Sequence, residues 1–224
     1  DKMSKSKGNV LYADDLVHLF GCDAIRYYVL HEIPYGHDGN IGYELIIDRV
    51  NSDLANTLGN LVNRTISMSH KYFNGVVFKP SEINDIDKGL IEMATSLGDR
   101  IESKMKELKI ADALEEIIDL FRQCNKYIDE TTPWILAKDK SQEKRLQTVL
   151  YNLLECIRIA AVYLQAFLPQ TADKIFEQLN TQNRKPESTK DFNGMDDGII
   201  LNKPEILFTR IDKAEFSSKM KAND

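Results

Sequence analysis

Glu44-Leu45-Ile46-Ile47-Asp48-Arg49-Val50-Asn51-Ser52-Asp53-Leu54, continued by Ala55-Asn56-Thr57-Leu58-Gly59-Asn60-Leu61-Val62-Asn63-Arg64-Thr65-Ile66, decides the fold. Leu45, Ile46, Ile47, Val50, Leu54, Leu58, Leu61, Val62 and Ile66 recur at helical spacing. The pattern predicts one long helix from about 43 to 72, ended by Phe73-Asn74-Gly75. Further helices are expected over about 86–106, 110–131, 141–167 and 170–179, with Thr132-Pro133 stopping the second of these and Pro169 punctuating the chain before the last. On the N-terminal side, Asp14 and Asp15 are expected to cap a short helix over 16–20. Gly21 would end it and Asp23 would start another. Pro34-Tyr35-Gly36-His37-Asp38-Gly39-Asn40 is loop chemistry. Beyond Asn180 the helical signal stops. A polar linker follows, then the short apolar runs Ile199-Ile200-Leu201 and Ile206-Leu207-Phe208, read as extended pieces packing back on the body, and a polar end expected to fray. The fold class is mainly α: an antiparallel helix bundle over 44–180, a small segment ahead of it over 1–43, and a linker and tail over 181–224.

Composition narrows the function. The 224 residues carry 29 Lys plus Arg against 35 Asp plus Glu, a formal charge of −6. That balance gives no general attraction for nucleic acid, and DNA is not an expected partner. Local basic groups, not the total, decide phosphate contacts. No apolar run approaches the roughly 20 residues that span a bilayer, so no membrane partner is expected, and no secretory leader is visible. Cys22, Cys124 and Cys156 lie far apart without a C-x-x-C pair, which argues against a disulfide framework or a cysteine zinc site and favours the cytoplasm. His18, His31, His37 and His70 have no ligand spacing, and a cation held by Glu32, His37 and Asp38 is not favoured. The chain opens without Met on a dense polar motif, as a piece of a longer protein would.

That motif is Lys2-Met3-Ser4-Lys5-Ser6, followed by Lys7-Gly8-Asn9. Three ammonium groups, two hydroxyls and a permissive glycine can approach a polyphosphate and neutralise charge developing on it. A solvated basic loop is the plain alternative. In its order of residues the motif resembles the signature loop of class I aminoacyl-tRNA synthetases. The resemblance implies a loop that closes over ATP, with Mg2+, while an amino-acid carboxylate attacks the α-phosphate. Lys5 would stabilise the leaving pyrophosphate with Lys2 in support, and Ser4 and Ser6 would belong to the ATP-binding loop. The second signature of these enzymes, His-Ile-Gly-His, and the nucleotide-binding sheet are missing from the sequence. The chain alone is therefore expected to be inactive.

Leu54 to Arg64, Tyr127-Ile128-Asp129-Glu130-Thr131-Thr132-Pro133-Trp134, Phe167-Leu168-Pro169-Gln170-Thr171-Ala172 and Leu207-Phe208-Thr209-Arg210-Ile211 together resemble the methionyl-tRNA synthetases. The resemblance covers essentially the whole chain. It implies a stem-contact segment, then an α-helical anticodon-binding bundle that reads CAU of tRNA(Met) through Asn60, Arg64 and Trp134. It implies ATP and methionine as substrates of the full-length enzyme, with zinc confined to a catalytic-domain insertion that this sequence lacks. The residues agree. At about 100° per residue, Leu54, Leu58, Leu61, Thr65 and Tyr72 share one face, and Asn60 and Arg64 lie roughly 100–140° away with Ser67 and Lys71 near them. Asn and Arg can read base edges, and an indole fixed behind a proline can stack on an unpaired base. Two alternatives stay open at this point. One is the equivalent piece of a cysteinyl, leucyl, isoleucyl or valyl enzyme. The other is a helical interaction module without RNA binding.

Overall fold

The computed structural model describes residues 3, 4 and 10–223. Helices α1 (Ala13–Phe20) and α2 (Cys22–Glu32) form the N-terminal segment, hinged at Gly21 with φ 86°. Asp14 and Asp15 sit in the first turn of α1 and do not cap it; Tyr12 holds the cap position without a side-chain hydrogen bond. Then come α3 (Tyr43–Arg49), a π-helical segment (Val50–Gly59) and α4 (Asn60–Phe73). The expected single helix over 43–72 is thus continuous in direction but not in winding. Through Val50–Gly59 the ladder widens, with Thr57 Oγ1 donating back to the Ser52 carbonyl at 2.9 Å and Asn125 Nδ2 donating to the Thr57 carbonyl at 3.1 Å. An apolar repeat alone does not distinguish these windings, because Leu54, Leu58 and Leu61 are buried in either.

The expected helix over 86–106 is two helices, α5 (Asp85–Thr95) and α6 (Leu97–Lys106). The break has a visible cause: Arg100 donates to the Met93 carbonyl at 3.0 Å and to Ser96 Oγ at 2.5 Å. Helix α7 (Ile110–Thr131) has the expected bounds, and α8 (Pro133–Leu136) is a single turn. Helix α9 runs Glu143–Leu164, shorter at both ends than expected, and α10 runs Pro169–Leu179.

Helices α7 and α9 are the central pair, with α5, α6, α4, α10 and the π segment packed around them. Helix α9 has almost no solvent face: from Thr148 to Leu164 only Tyr163 is not buried. A helix wrapped on all sides must pair every polar group it carries. Glu155 accepts from Arg158 Nε and Nη2 at 2.9 and 2.7 Å and from the backbone N–H groups of Gly194 and Met195 at 2.8 and 2.9 Å. The remaining Arg158 donors reach the Asn183 carbonyl and Ser188. A Cβ on residue 194 would stand 2.2 Å from the guanidinium, so only glycine fits there. Asp87 closes a capping box on α5, accepts from Tyr127 Oη at 2.5 Å, and pairs with Arg145 at 2.6 and 2.9 Å. Burial alone would raise the Asp87 carboxyl. Hydrogen bonds from Arg145, Tyr127 and the Asn84 backbone outweigh it and hold it below the usual carboxylate range.

A polar belt ties the N-terminal segment to the bundle. Tyr27 Oη donates to buried Asp53 at 2.8 Å, Arg49 bridges Asp53 and Glu32, and His31 lies 2.8 Å from both Glu32 and Glu115. Burial would raise the Glu115 carboxyl, but Arg122 and His31 hold it low. Asp23, expected only to start α2, accepts from the N–H and hydroxyl of Thr171 at 2.6 and 2.7 Å and so caps α10 from afar.

The tail lies against the bundle. It contributes an isolated antiparallel bridge, Val76 to Ile200, and hydrogen bonds from Asn202 to the end of α10. Its polar end, expected to fray, forms α11 (Lys213–Asn223). Phe216 anchors it by stacking on Phe20, ring centroids 5.3 Å apart, and by a tilted contact with Tyr43 at 5.6 Å. Among the described residues no helix is long and apolar enough to cross a membrane.

Candidate nucleic-acid interface

Asn60 is the first residue of α4, immediately past the π segment, and is exposed. Leu54, Leu58, Leu61, Val62 and Thr65 fill the inward side of this stretch and are all buried, so Asn60 is turned outward. Arg64 follows one turn later and is half-buried. Nine arginines occur in the sequence. Seven of the guanidinium groups, those of Arg26, Arg49, Arg100, Arg122, Arg145, Arg158 and Arg184, hold a carboxylate, carbonyl or hydroxyl. Among the described residues the Arg64 and Arg210 side chains hold none. The Asn60 amide likewise has no partner there.

Trp134 is reached differently. Thr132 takes a left-handed conformation, φ 44° and ψ 60°, which ends α7; Pro133 is buried at the first position of α8. The Thr132 carbonyl accepts from Ile135 N at 2.8 Å, fixing the turn. The indole is 39% exposed and its neighbour Ile135 54%, an apolar projection from a short rigid turn that packs on α9. Asn60 and Arg64 thus share one helix face, while Trp134 stands on a separate element with no hydrogen bond or ring contact to either. Of the other residues expected on that side, Ser67 makes a long 3.5 Å hydrogen bond to Asn63, and Lys71 lies over the Tyr72 ring at 5.3 Å.

The sequence reading missed a groove beside Asn60. Asn56 and Asn63, one turn to either side of it, line this groove together with Thr209 and Arg210 of the tail. The spacing of the asparagines was a legible signal; the tail's position was not.

Of the phosphate-loop residues, Lys2, Lys5 and Ser6 lie outside the described residues, and Ser4 is half-buried. Among the described residues no three His, Cys, Asp or Glu side chains are placed to hold a metal ion. Cys124 and Cys156 are both buried; burial first, then the Cys124 neighbour, pushes the Cys156 thiol well up, as befits unreactive core residues.

Comparison with known proteins gives the same reading from two directions. Residues 1–66 match the family model of class I tRNA synthetases (M), and residues 77–222 match that of the anticodon binding domain of methionyl tRNA ligase. The chain is 50% identical over 223 residues to the methionine–tRNA ligase of Clostridium acetobutylicum, covering 98% of this chain and 35% of that one. It is 41% identical to that of Bacillus subtilis, covering 96% and 33%. It therefore spans about a third of the length of the curated relatives it matches. The fold superposes on Mycobacterium tuberculosis methionyl-tRNA synthetase in complex with methionyl-adenylate with a TM-score of 0.87 at 36% identity, over 93% of this chain and 42% of that one. On the apo form of the same enzyme the TM-score is 0.85 at 33% identity, over 91% and 41%. With the anticodon-domain model matching well over half its length, the chain belongs to the methionyl-tRNA ligase family and carries that family's anticodon-binding domain.

Proposed function

We propose that this chain reads the CAU anticodon of tRNA(Met) as part of a methionyl-tRNA ligase. One observation carries the reading: seven of the nine guanidinium groups are engaged, and among the described residues that of Arg64 has no partner on the outward face that also holds Asn60. A free guanidinium and a free amide one turn apart supply directional donors and an acceptor for base edges. Trp134 supplies the stacking platform for an unpaired base. The specific contacts outweigh bulk electrostatics, because the formal charge of −6 repels RNA at long range.

Residues 1–43 then form the phosphate loop and stem-contact segment, 44–180 the anticodon bundle, and 181–224 the linker and tail. In the longer cytoplasmic enzyme, ATP with Mg2+ and methionine are the co-substrates. Lys5, supported by Lys2, stabilises charge on the departing pyrophosphate, and Ser4 and Ser6 belong to the ATP loop. Zinc, where present, resides outside this chain. In that longer enzyme Lys5→Ala slows adenylate formation far more than it weakens methionine binding, since the charge it meets exists mainly in the transition state.

The test is a titration of CAU and altered-anticodon hairpins at two salt concentrations. Trp134→Ala, Asn60→Ala and Arg64→Ala each remove preference for CAU, worth about 1–3 kcal/mol per good base-edge contact or stacked base. Variants that keep the wild-type preference overturn the assignment.

A further inference from the structure

The tail from residue 199 to 211 runs as a strap over the bundle, and between strap and α4 lies the groove noted above. Its volume is about 340 Å³, within the roughly 300–1,000 Å³ of sites that enclose small ligands. One wall presents Asn56, Asn60 and Asn63, consecutive turns of one helical face. The other presents Thr209 and Arg210, with Phe208 adding apolar surface. No carboxylate lines it, although acidic residues outnumber basic ones in the chain. A Cβ on residue 59 would meet the Leu54 carbonyl of the π segment at 3.0 Å but the Phe208 backbone only at an ordinary contact distance of 3.8 Å, so the strap lies in van der Waals reach of this glycine.

Asn51, in the π segment, holds the strap in register. Its Nδ2 donates to the Ile211 carbonyl at 2.9 Å, and its Oδ1 accepts from the Ile211 N–H at 2.8 Å. A side-chain amide here does what a neighbouring strand would do, at the residue after Arg210. Asn51 is not among the residues lining the groove.

We propose that this groove takes an unpaired nucleobase of the bound RNA lying outside the anticodon triplet, and that Asn51 is a positioning residue that sets the groove's width. The inference rests on the anticodon reading and extends it by one subsite. Paired donor and acceptor atoms on Asn56 and Asn63 match the edge of a base, Phe208 adds apolar surface for it to lie against, and the Arg210 guanidinium, without a partner among the described residues, meets the adjoining phosphate. A groove that sets amides and a guanidinium among apolar side chains, with no carboxylate, suits a flat, polar-edged base beside a phosphate better than a cation.

The test uses this chain and a CAU hairpin in which each loop nucleotide outside the triplet is replaced, one at a time, by an abasic residue. One replacement is expected to weaken wild-type binding about tenfold, the scale of one stacked base. Asn63→Ala and Asn51→Ala are expected to bind the intact and that abasic hairpin equally, while Asn51→Ala keeps the wild-type preference for CAU. If no replacement weakens binding, or the loss persists unchanged in both variants, the groove is not a nucleotide site. Asn63→Ala leaves the clasp intact, so the result stands even if Asn51→Ala releases the strap. A wild-type chain indifferent to CAU would overturn the anticodon reading by a separate measurement.

Discussion

Arg158 and Arg64 are the same side chain in opposite circumstances. Arg158 is fully buried in α9, and its donors reach Glu155, Asn183 and Ser188. Arg64 stands on the outer side of α4 with no partner among the described residues. Inside the bundle, an ionised group persists only where the fold supplies its counter-charge and hydrogen bonds. On the outward face proposed to read RNA, the partner is left for a ligand to supply. Stability and recognition are therefore carried by different polar groups, and substitutions should separate them.

The largest expected effect is on the buried side. Arg158→Ala strips Glu155 of its counter-charge and should destabilise the fold by about 3–5 kcal/mol, read as a shift in the urea midpoint. A loss below about 1 kcal/mol would mean the pair is dispensable, and the contrast with Arg64 would fail. Asp87→Asn should come next, at about 3 kcal/mol at neutral pH, because Arg145 is left buried beside a neutral group. It also carries a pH signature. Asp87 is held below its ordinary 3.8 in the folded state, so the unfolded chain binds its proton first as pH falls. Its contribution is whole above the unfolded value and drains away as pH drops from there through the lower folded value. Chemical denaturation of wild type should steepen in that acid window, and Asp87→Asn should flatten the part due to this residue.

Asn51→Ala removes two hydrogen bonds from a half-buried site and should cost about 1–2 kcal/mol. The loss should be local, appearing as faster exchange of the Ile211 amide while α9 amides keep their protection. The smallest effect sharpens the comparison most: Arg64→Ala should change global stability by no more than about 0.5 kcal/mol while abolishing the preference for CAU. A destabilisation as large as that of Arg158→Ala would show Arg64 to be a structural residue.

The sequence carried the fold well where local signals suffice. Helix α7 matches its expected bounds because Ile110 begins an apolar repeat and Thr132-Pro133 stops it. The π winding over Val50–Gly59 was not legible, because the same leucines are buried in either ladder and a bond that satisfies one of its carbonyls, from Asn125 to Thr57, crosses 68 residues. Asp23 read as a local helix start, but its partner is Thr171, 148 residues away. Helix α11 was invisible because its sequence is polar apart from Phe216 and Met220, and Phe216 matters only once Phe20 and Tyr43 are beside it. At the site, the outward face of Asn60 and Arg64 followed from periodicity. Their lack of internal partners, and the strap that forms a groove beside Asn60, could be known only from tertiary placement.

The clasp between Asn51 and Ile211 also has a consequence in time. Its two halves are 160 residues apart, and chains are made at about 5–20 residues per second. Asn51 is therefore made roughly 8–32 s before Ile211. Helices such as α4 and α7 form far faster than that. Once α9 has been made and can close the core on α7, the nascent bundle shows Asn60 and Arg64 without the strap beside them, and the groove exists only once translation has carried the tail past α10. Any RNA contact that depends on the groove is thereby reserved for chains synthesised at least as far as Ile211.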